Sequence, residues 1–287
     1  MDETTEPIIA VIGHPIAGNP TQFALEVGLQ AAQVDCRVLS IDIEDDRVRD
    51  AVVGMNAMDF AGIWVADTSR DAVERWLAET DRGGKWIDFL KRQSASETQE
   101  IIWEPFVLKA QAWPELVAQA LPASSIKFGK ILFIDRSFDT IENDLSEQTS
   151  HWIQWFKNTG VTGLGELTEE QLGFQNKLPT TEELNSHLEC LPPEDSLLVI
   201  VNEDEQSDLS DFKCISLPPR AVMVDLNENS DPAIIAAADQ LKATSQGSFI
   251  RAVDVHAKCL SKIIAQLFNR EVPIEVLQEA IVEYIAV

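Results

Sequence analysis

The chain has 287 residues and a formal net charge of −26, with 22 Lys and Arg against 48 Asp and Glu. This length is near the limit for one hydrophobic core, so two domains are as readily expected as one. The negative field repels phosphate backbones and anionic headgroups, which argues against nucleic acid and the membrane surface as partners.

The first third of the chain alternates strand patterns with helix patterns. Short apolar runs at 7–13, 36–43 and 60–66 predict strands, because they are brief and rich in β-branched residues. The segments between and after them carry apolar residues on helical spacing and predict helices at 21–33, 44–58 and 69–79. Three successive β-α units predict parallel strand pairing with helices on the sheet faces.

The pattern weakens between residues 81 and 122. A helix is predicted for "DRGGKWIDFLKRQ" at 81–93, after the Gly-Gly pair, and another for "AWPELVAQALP", which Pro122 ends. The following "ASSIKFGK" at 123–130 has the composition of a linker. These features predict a domain boundary close to residue 122.

The second half repeats the α/β pattern. Strands are predicted for "KILFID", "SLLVIVN" and "AVMVDL", whose unbroken apolar runs indicate burial on both faces, and a long helix is predicted for 140–160. Two more helices, at 253–270 and 273–286, follow. The expected domains are 1–122 with 251–287 packing back onto it, and 123–250.

Targeting and redox signals indicate a cytoplasmic protein. The N-terminal "MDETTEPIIAVIG" lacks the basic region and long apolar region of a signal peptide, and no apolar stretch approaches the roughly 20 residues of a spanning helix. The cysteines form no C-x-x-C pair and lie in apolar or strand-like contexts, so buried thiols in a reducing compartment are expected. They are Cys36, Cys190, Cys214 and Cys259.

Four segments of the chain resemble the shikimate dehydrogenase family. They are "AVIGHPIA" at 10–17, "DFAGIWV" at 59–65, "VMVDLN" at 222–227 and "NREVPIEVLQEAI" at 269–281. The resemblance implies an N-terminal shikimate-binding domain, a doubly wound Rossmann-like domain that binds NADP in the family, and a cleft between them. Because their order and spacing fit, the resemblance covers nearly the whole chain.

The substrate motifs of the family are altered here. In the first loop, Asn19 and Thr21 stand where two serines hold the substrate carboxylate, and both can still donate hydrogen bonds. In "GIWVADTSR", Trp64 and Ala66 replace the Asn and Thr that contact substrate, and Arg70 replaces the catalytic Lys. Arginine stays protonated, so it cannot move the hydroxyl proton as a lysine with a lowered pKa does.

Two further family positions are lost. The catalytic Asp of the family falls near "KAQAWPELV", where the closest register places Trp113 and no carboxylate comes before Glu115. The Gln of the penultimate helix of the family falls at Cys259. Neither member of the expected Lys-Asp pair is present at its motif position.

The nucleotide motif is also degenerate. A Rossmann strand ends in a glycine-rich turn that lets the backbone approach pyrophosphate, but no glycine follows Gly129 before the predicted helix. The corresponding positions begin with Asp135, Arg136 and Ser137, and Glu166 stands where the family has an arginine for the NADP 2′-phosphate. No cofactor is therefore expected.

Three functions stay open. The first is a member of the family that has lost NADP-dependent oxidoreduction and binds a small carboxylate near Thr21, Trp64, Arg70 and Trp113, which would line one cleft. The second is an oxidoreductase with an altered site, and the third an acidic module with a homodimer or another protein as partner. Trp64 and Trp113 also fit simple packing, and Arg70 fits a surface ion pair with Asp71 or Glu74. No metal site is expected, because the histidines are too dispersed.

Overall fold

The computed structural model describes residues 6–80, 84, 86–93, 103–120, 127–135, 172–175, 179–202, 214–225 and 232–286. The chain divides into two compact units: unit 1 is Met1–Lys109 with His256–Val287, and unit 2 is Ala110–Val255. Both crossings fall inside helices, whereas the sequence analysis places them at 122 and 250.

Strands and helices alternate along most of the described chain. The strands are β1 (Ile8–Gly13), β2 (Arg37–Asp42), β3 (Gly62–Val65), β4 (Phe89–Arg92), β5 (Trp103–Phe106), β6 (Lys127–Asp135), β7 (Leu172–Gln175), β8 (Asp195–Asn202), β9 (Ala221–Asp225) and β10 (Ser248–Ile250). The helices are α1 (Thr21–Ala31), α2 (Val48–Ala57), α3 (Asp67–Ala78), α4 (Leu108–Ala120), α5 (Thr181–Glu189), α6 (Pro232–Thr244), α7 (Ala252–Phe268) and α8 (Ile274–Ile285), with a short 3-10 turn at Asp45–Arg47.

The sheet of unit 1 has the strand order β2-β1-β3-β4-β5. Strand β1 pairs in parallel with β2 and β3, whereas β4 runs antiparallel to both β3 and β5. The parallel pairing predicted for the first three strands is confirmed. The helix predicted for 81–93 is wrong where Phe89–Arg92 form β4, which runs against its two neighbours. Phe89 and Leu90 are both fully buried in the sheet, so pairing with two neighbours overrides the local helical pattern.

Helices cover the sheet of unit 1 and bury its apolar side chains. Helix α1 approaches α8 at Gly28, where an added Cβ would lie 2.6 Å from Leu277 Cδ2 and 3.0 Å from Ile264 Cδ1. Only glycine fits this contact without displacing its neighbours. One core cluster on the sheet includes Ile12, Val52, Ile63, Val73 and Leu90.

Unit 2 contains a fully parallel sheet with the order β10-β9-β8-β6-β7. The parallel pairing confirms the prediction for this half, but the linker predicted at 123–130 is wrong from Lys127 onward, where β6 begins. The strand order reverses beside β6, which places a topological switch point at the carboxyl ends of β6 and β8. The helix predicted for 140–160 lies outside the described residues.

The core of unit 2 includes Leu132 of β6, Val199 of β8, Met223 of β9, Leu241 of α6 and Phe249 of β10. None of the helices in the described ranges is long and apolar enough to span a membrane. The four cysteines carry thiols; Cys259 is buried, but Cys190 and Cys214 are exposed. The expectation of buried thiols is thus wrong for those two. Cys190 directly follows helix α5, and Cys214 lies in the segment before β9, so neither is within a strand.

Candidate functional site

Thr21 and Asn19, at the start of α1, form hydrogen bonds with other residues of the chain. Thr21 is fully buried, and its backbone N–H donates to Asn19 Oδ1 at 2.9 Å. Its hydroxyl lies 3.0 Å from His256 Nε2 on α7. The two residues at the family serine positions therefore close the loop and tie it to α7.

His256 stacks on Trp64 of β3. Their ring centroids are 5.3 Å apart and the ring planes are 13° from parallel, and Trp64 is only 1% exposed. Burial, with a smaller contribution from the charge of Lys109, lowers the pKa of His256 to about 3. The imidazole is therefore neutral near pH 7 and can donate to or accept from Thr21, depending on its tautomer.

Lys109 joins this stack to a carboxylate. Its Nζ donates to both carboxylate oxygens of Asp67, at 3.0 and 3.1 Å, and lies 5.9 Å from the Trp64 ring centroid. Burial and then the charge of Arg70 hold the pKa of Lys109 well below its usual range, while Asp88 opposes the shift. The pair with Asp67 adds a direct acceptor for the Lys109 proton.

Arg70 contacts the same carboxylate from within helix α3. Its Nη2 pairs with Asp67 Oδ1, and its guanidinium carbon lies 5.7 Å from the Trp86 ring centroid. Burial lowers the pKa of Arg70, although a guanidinium remains charged. Arg70 Nε is enclosed and has no hydrogen-bond partner among the residues that the structure describes. An acceptor at this nitrogen would recover about 1–3 kcal/mol.

Asp88 holds the backbone of Lys109 in place. Its two carboxylate oxygens accept the backbone N–H groups of Leu108 and Lys109, each at 2.7 Å, so it caps the first turn of α4. The side chain is fully buried, and burial raises its pKa to about 6 despite these bonds. This cap fixes the position from which the Lys109 side chain leaves the helix.

These contacts form one continuous polar group in unit 1, here called the Lys109 cluster: Thr21, Trp64, Asp67, Arg70, Asp88, Lys109 and His256. Asp67 is its most solvent-accessible charged side chain at 38% exposure, against 23% for Lys109 and 14% for Arg70. Two cations thus share one partly exposed carboxylate. The arrangement can hold an anion and can move a proton between an amine and a carboxylate.

The residues predicted from the sequence fall in different places. Thr21, Trp64 and Arg70 belong to the Lys109 cluster, Asn19 contacts Thr21, Ala66 precedes α3 with 5% exposure, and Cys259 is buried on α7. Trp113 lies on α4 in unit 2 and is 1% exposed. Arg70 pairs with Asp67 rather than with Asp71 or Glu74, the partners considered from the sequence.

Asp67, Asp88, Lys109 and His256 were missed by the sequence analysis. Asp88 and Lys109 are single charges inside the apolar stretches "WIDFL" and "FVLKA". A charged residue within such a stretch must be paired if it is buried, and this signal could have found both. Asp67 begins a helix, where an acidic residue is so common that it carries little information.

Of the four predicted cofactor positions, the structure describes Asp135. Asp135 is the last residue of β6 and is paired with Asn202 at the end of β8, which is the switch point where doubly wound sheets bind ligands. Arg136, Ser137 and Glu166 lie outside the described residues. No group of three or more His, Cys, Asp or Glu in the described segments is arranged to hold a metal ion.

No family model matches the sequence, and no curated protein sequence matches it either. Solved structures do match. A shikimate dehydrogenase from Aquifex aeolicus is 13% identical over 98% of this chain and 99% of its own, with a TM-score of 0.61. A shikimate dehydrogenase in complex with NADP+ is 11% identical over 99% of this chain and 98% of its own, also at 0.61.

The same fold occurs in an enzyme of different name. The 5-ketofructose reductase of Gluconobacter sp. strain CHM43 is 13% identical over 97% of this chain and 98% of its own, with a TM-score of 0.60. At these identities the likeness shows the fold. The chain has the two-domain α/β fold of the shikimate dehydrogenases, with a Rossmann-like second domain, which confirms the fold class and the resemblance at that level.

Proposed function

From this shared fold, we propose that the protein binds a small carboxylate at the Lys109 cluster and does not carry out NADP-dependent oxidoreduction of shikimate. The observation that carries the proposal is the pair of cations, Arg70 and Lys109, that share the one carboxylate of Asp67. A guanidinium beside an ammonium is a strong recognition element for a carboxylate. The partial exposure of Asp67 gives a ligand a route to both cations.

The substrate motif supports the loss of the family reaction. Trp64 and Ala66 replace two polar residues that contact substrate in the family, and Arg70 replaces its catalytic lysine. The ring of Trp64 stacks on His256 and is shielded from solvent. The side chains of Trp64 and Ala66 have no hydrogen-bond acceptor for the hydroxyl groups of a polyhydroxylated ring, so the ligand that fits them has few hydroxyl groups.

The sequence of unit 2 supports the absence of NADP. Strand β6 ends in Asp135, and the next segment contains Asp139, Glu142 and Asp144 but no glycine before Gly160. Side chains at a pyrophosphate turn obstruct the backbone, and carboxylates compete with phosphate for the positive end of the helix predicted at 140–160. The cytoplasm is the compartment we propose, because the four cysteines are thiols.

Ligand titration tests the proposal in two parts. Calorimetry with a panel of small monocarboxylates should give saturable binding to the purified protein, and Arg70→Leu should abolish it. Arg75→Leu is the matched control, because Arg75 lies on the same helix but is 67% exposed and pairs with Asp45. Fluorescence titration with NADPH should give no saturable signal, and shikimate with NADP+ should give no NADPH. Saturable micromolar NADPH binding would overturn the second part.

A specific observation favours a second candidate, an oxidoreductase with an altered site. Lys109 and Asp67 form an amine-carboxylate pair in which burial lowers the pKa of the amine, and such a pair can move the proton of a hydroxyl group. This candidate requires NADPH binding and turnover that disappears in Lys109→Met. The same titration therefore separates the two functions.

A further inference from the structure

We propose that Lys109 is a nucleophilic amine that forms a reversible imine with a small 2-oxo acid bound at the Lys109 cluster. The inference rests on the proposed carboxylate site and adds a covalent step to it. It names the ligand class as a carboxylate whose neighbouring carbon is a ketone or aldehyde.

The geometry of Asp67 selects this ligand class. Arg70 and Lys109 both contact the single carboxylate of Asp67, so the guanidinium and the amine lie within the span of one small group. In a 2-oxo acid the carboxylate and the carbonyl carbon are directly bonded. When Arg70 holds the carboxylate in two-pronged fashion, the carbonyl carbon comes within reach of the Lys109 amine.

The charge of Asp88 favours the ammonium form of Lys109, but burial and the charge of Arg70 outweigh it and favour the neutral amine, which is the form that attacks a carbonyl. The Nζ lies against the indole of Trp64, and the stacked His256 behind that ring is neutral. Burial and the charge of Arg70 lower the pKa of Lys109. Apolar surroundings and a second cation are the two established ways to activate a lysine for imine formation.

Asp67 supplies the proton transfers that the step needs. It lies 3.0 Å from Nζ, so it can take one proton from the ammonium and leave a lone pair on nitrogen. The amine then attacks the carbonyl carbon, a C–N bond forms as the C=O π bond breaks, and one proton passes from the attacking nitrogen to the oxygen, which becomes a hydroxyl group. Asp67 returns its proton to that hydroxyl, water leaves, and a C=N bond remains. Amine and 2-oxo acid give imine and water, with no oxidant or reductant.

Reductive trapping tests the imine. The full-length protein is incubated with pyruvate and sodium cyanoborohydride at pH 7, and peptide mass spectrometry locates the resulting secondary amine. We expect at least about tenfold more modification at Lys109 than at Lys242, because each unit of pKa depression raises the neutral fraction tenfold. Lys242 is the internal control, since its side chain is 52% exposed. Lys109 modified no more than Lys242 would overturn the imine.

Two variants and one analogue separate the covalent step from binding. Asp67→Asn should slow trapping at Lys109 by at least about a hundredfold, the lower end of the range for losing a general acid-base group, while Lys242→Arg should leave it unchanged. Lactate, which has the same carbon skeleton but no carbonyl, should bind in calorimetry. Lactate binding without trapping of pyruvate would sink the imine and leave the carboxylate site standing; binding of neither acid would sink the proposed function itself.

Discussion

The imidazole of His256 lies nearly parallel to the indole of Trp64, 5.3 Å away, and is bonded through Nε2 to the buried hydroxyl of Thr21. A charged imidazole here would lose its hydration and stand close to Lys109. The pKa of His256 is accordingly lowered to about 3 from the ordinary value of 6.5. This single relationship makes the stability of the protein depend on pH.

We expect the stabilising effect of His256 to be complete above pH 6.5 and to be lost as pH falls toward 3, because the unfolded chain binds the proton first. His256→Gln removes that dependence. The free energy of unfolding of the wild type, relative to the variant, should fall by about 2 kcal/mol between pH 7 and pH 5. Urea denaturation at both pH values measures it.

His14 provides the opposite control for this experiment. Its Nδ1 lies 2.6 Å from Asp42 Oδ1, and this hydrogen bond raises its pKa. A raised pKa gives stability that is present at low pH and lost as pH rises, so His14→Gln should show a change of the other sign. If the free energy of unfolding, relative to the wild type, changed with pH in the same direction in both variants, His256 would not be the group responsible.

The amine of Lys109 should titrate well below the usual range of a lysine. Trace labelling with acetic anhydride across a pH series, followed by peptide mass spectrometry, follows the neutral fraction of each amine. The midpoint for Lys109 should lie well below that of Lys242, because burial and Arg70 lower its pKa. Comparing midpoints rather than rates removes the effect of unequal exposure, and coincident midpoints would contradict the lowered pKa.

Asp67→Asn should tighten the binding of small carboxylates. The native carboxylate pairs with Arg70 as well as with Lys109, so a ligand carboxylate must displace it from Arg70. Removing its charge while keeping its size should raise the affinity about tenfold, a change of about 1.4 kcal/mol, as measured by calorimetry. Asp71→Asn, an exposed change on the same helix, should have little effect; an equal gain there would attribute the result to net charge alone.

Asp88→Ala should destabilise the protein by about 2 kcal/mol or more, because two buried backbone N–H groups of α4 lose their acceptor. Urea unfolding at pH 7 measures the loss. Asp50→Ala changes an exposed acidic residue in the first turn of α2, where no side chain forms a capping bond. If both variants lost the same stability, the cap would contribute nothing specific.

The sequence predicted the first three strands and their helices well, because each is a local pattern. Residues 8–13, 37–42 and 62–65 are strands in the structure, and short runs rich in apolar and β-branched residues identified them. Strand β4 was missed for a physical reason. It has four residues, and Phe89 and Leu90 owe their conformation to pairing with β3 and β5, which no local pattern reveals.

The candidate site shows the same limit. Trp64 and Arg70 were identified because they occupy positions in a recognised motif. Lys109 and His256 were missed because their surroundings come from distant segments: Lys109 meets Asp67 of α3, and His256 meets Thr21 of α1. A lowered pKa depends on burial and on neighbours brought by the fold, so neither residue carries that property in its own sequence.

The division of unit 1 into two chain segments has a consequence for biosynthesis. Residues 110–255 form a continuous unit, and domains fold as units while the ribosome is still elongating the chain. Unit 1 cannot complete its fold until the ribosome has synthesised its second segment, which begins at His256. The stack of His256 on Trp64 and its bond to Thr21 therefore form late, and a nascent chain that stalls before residue 256 carries Lys109 without the neutral ring that completes its surroundings.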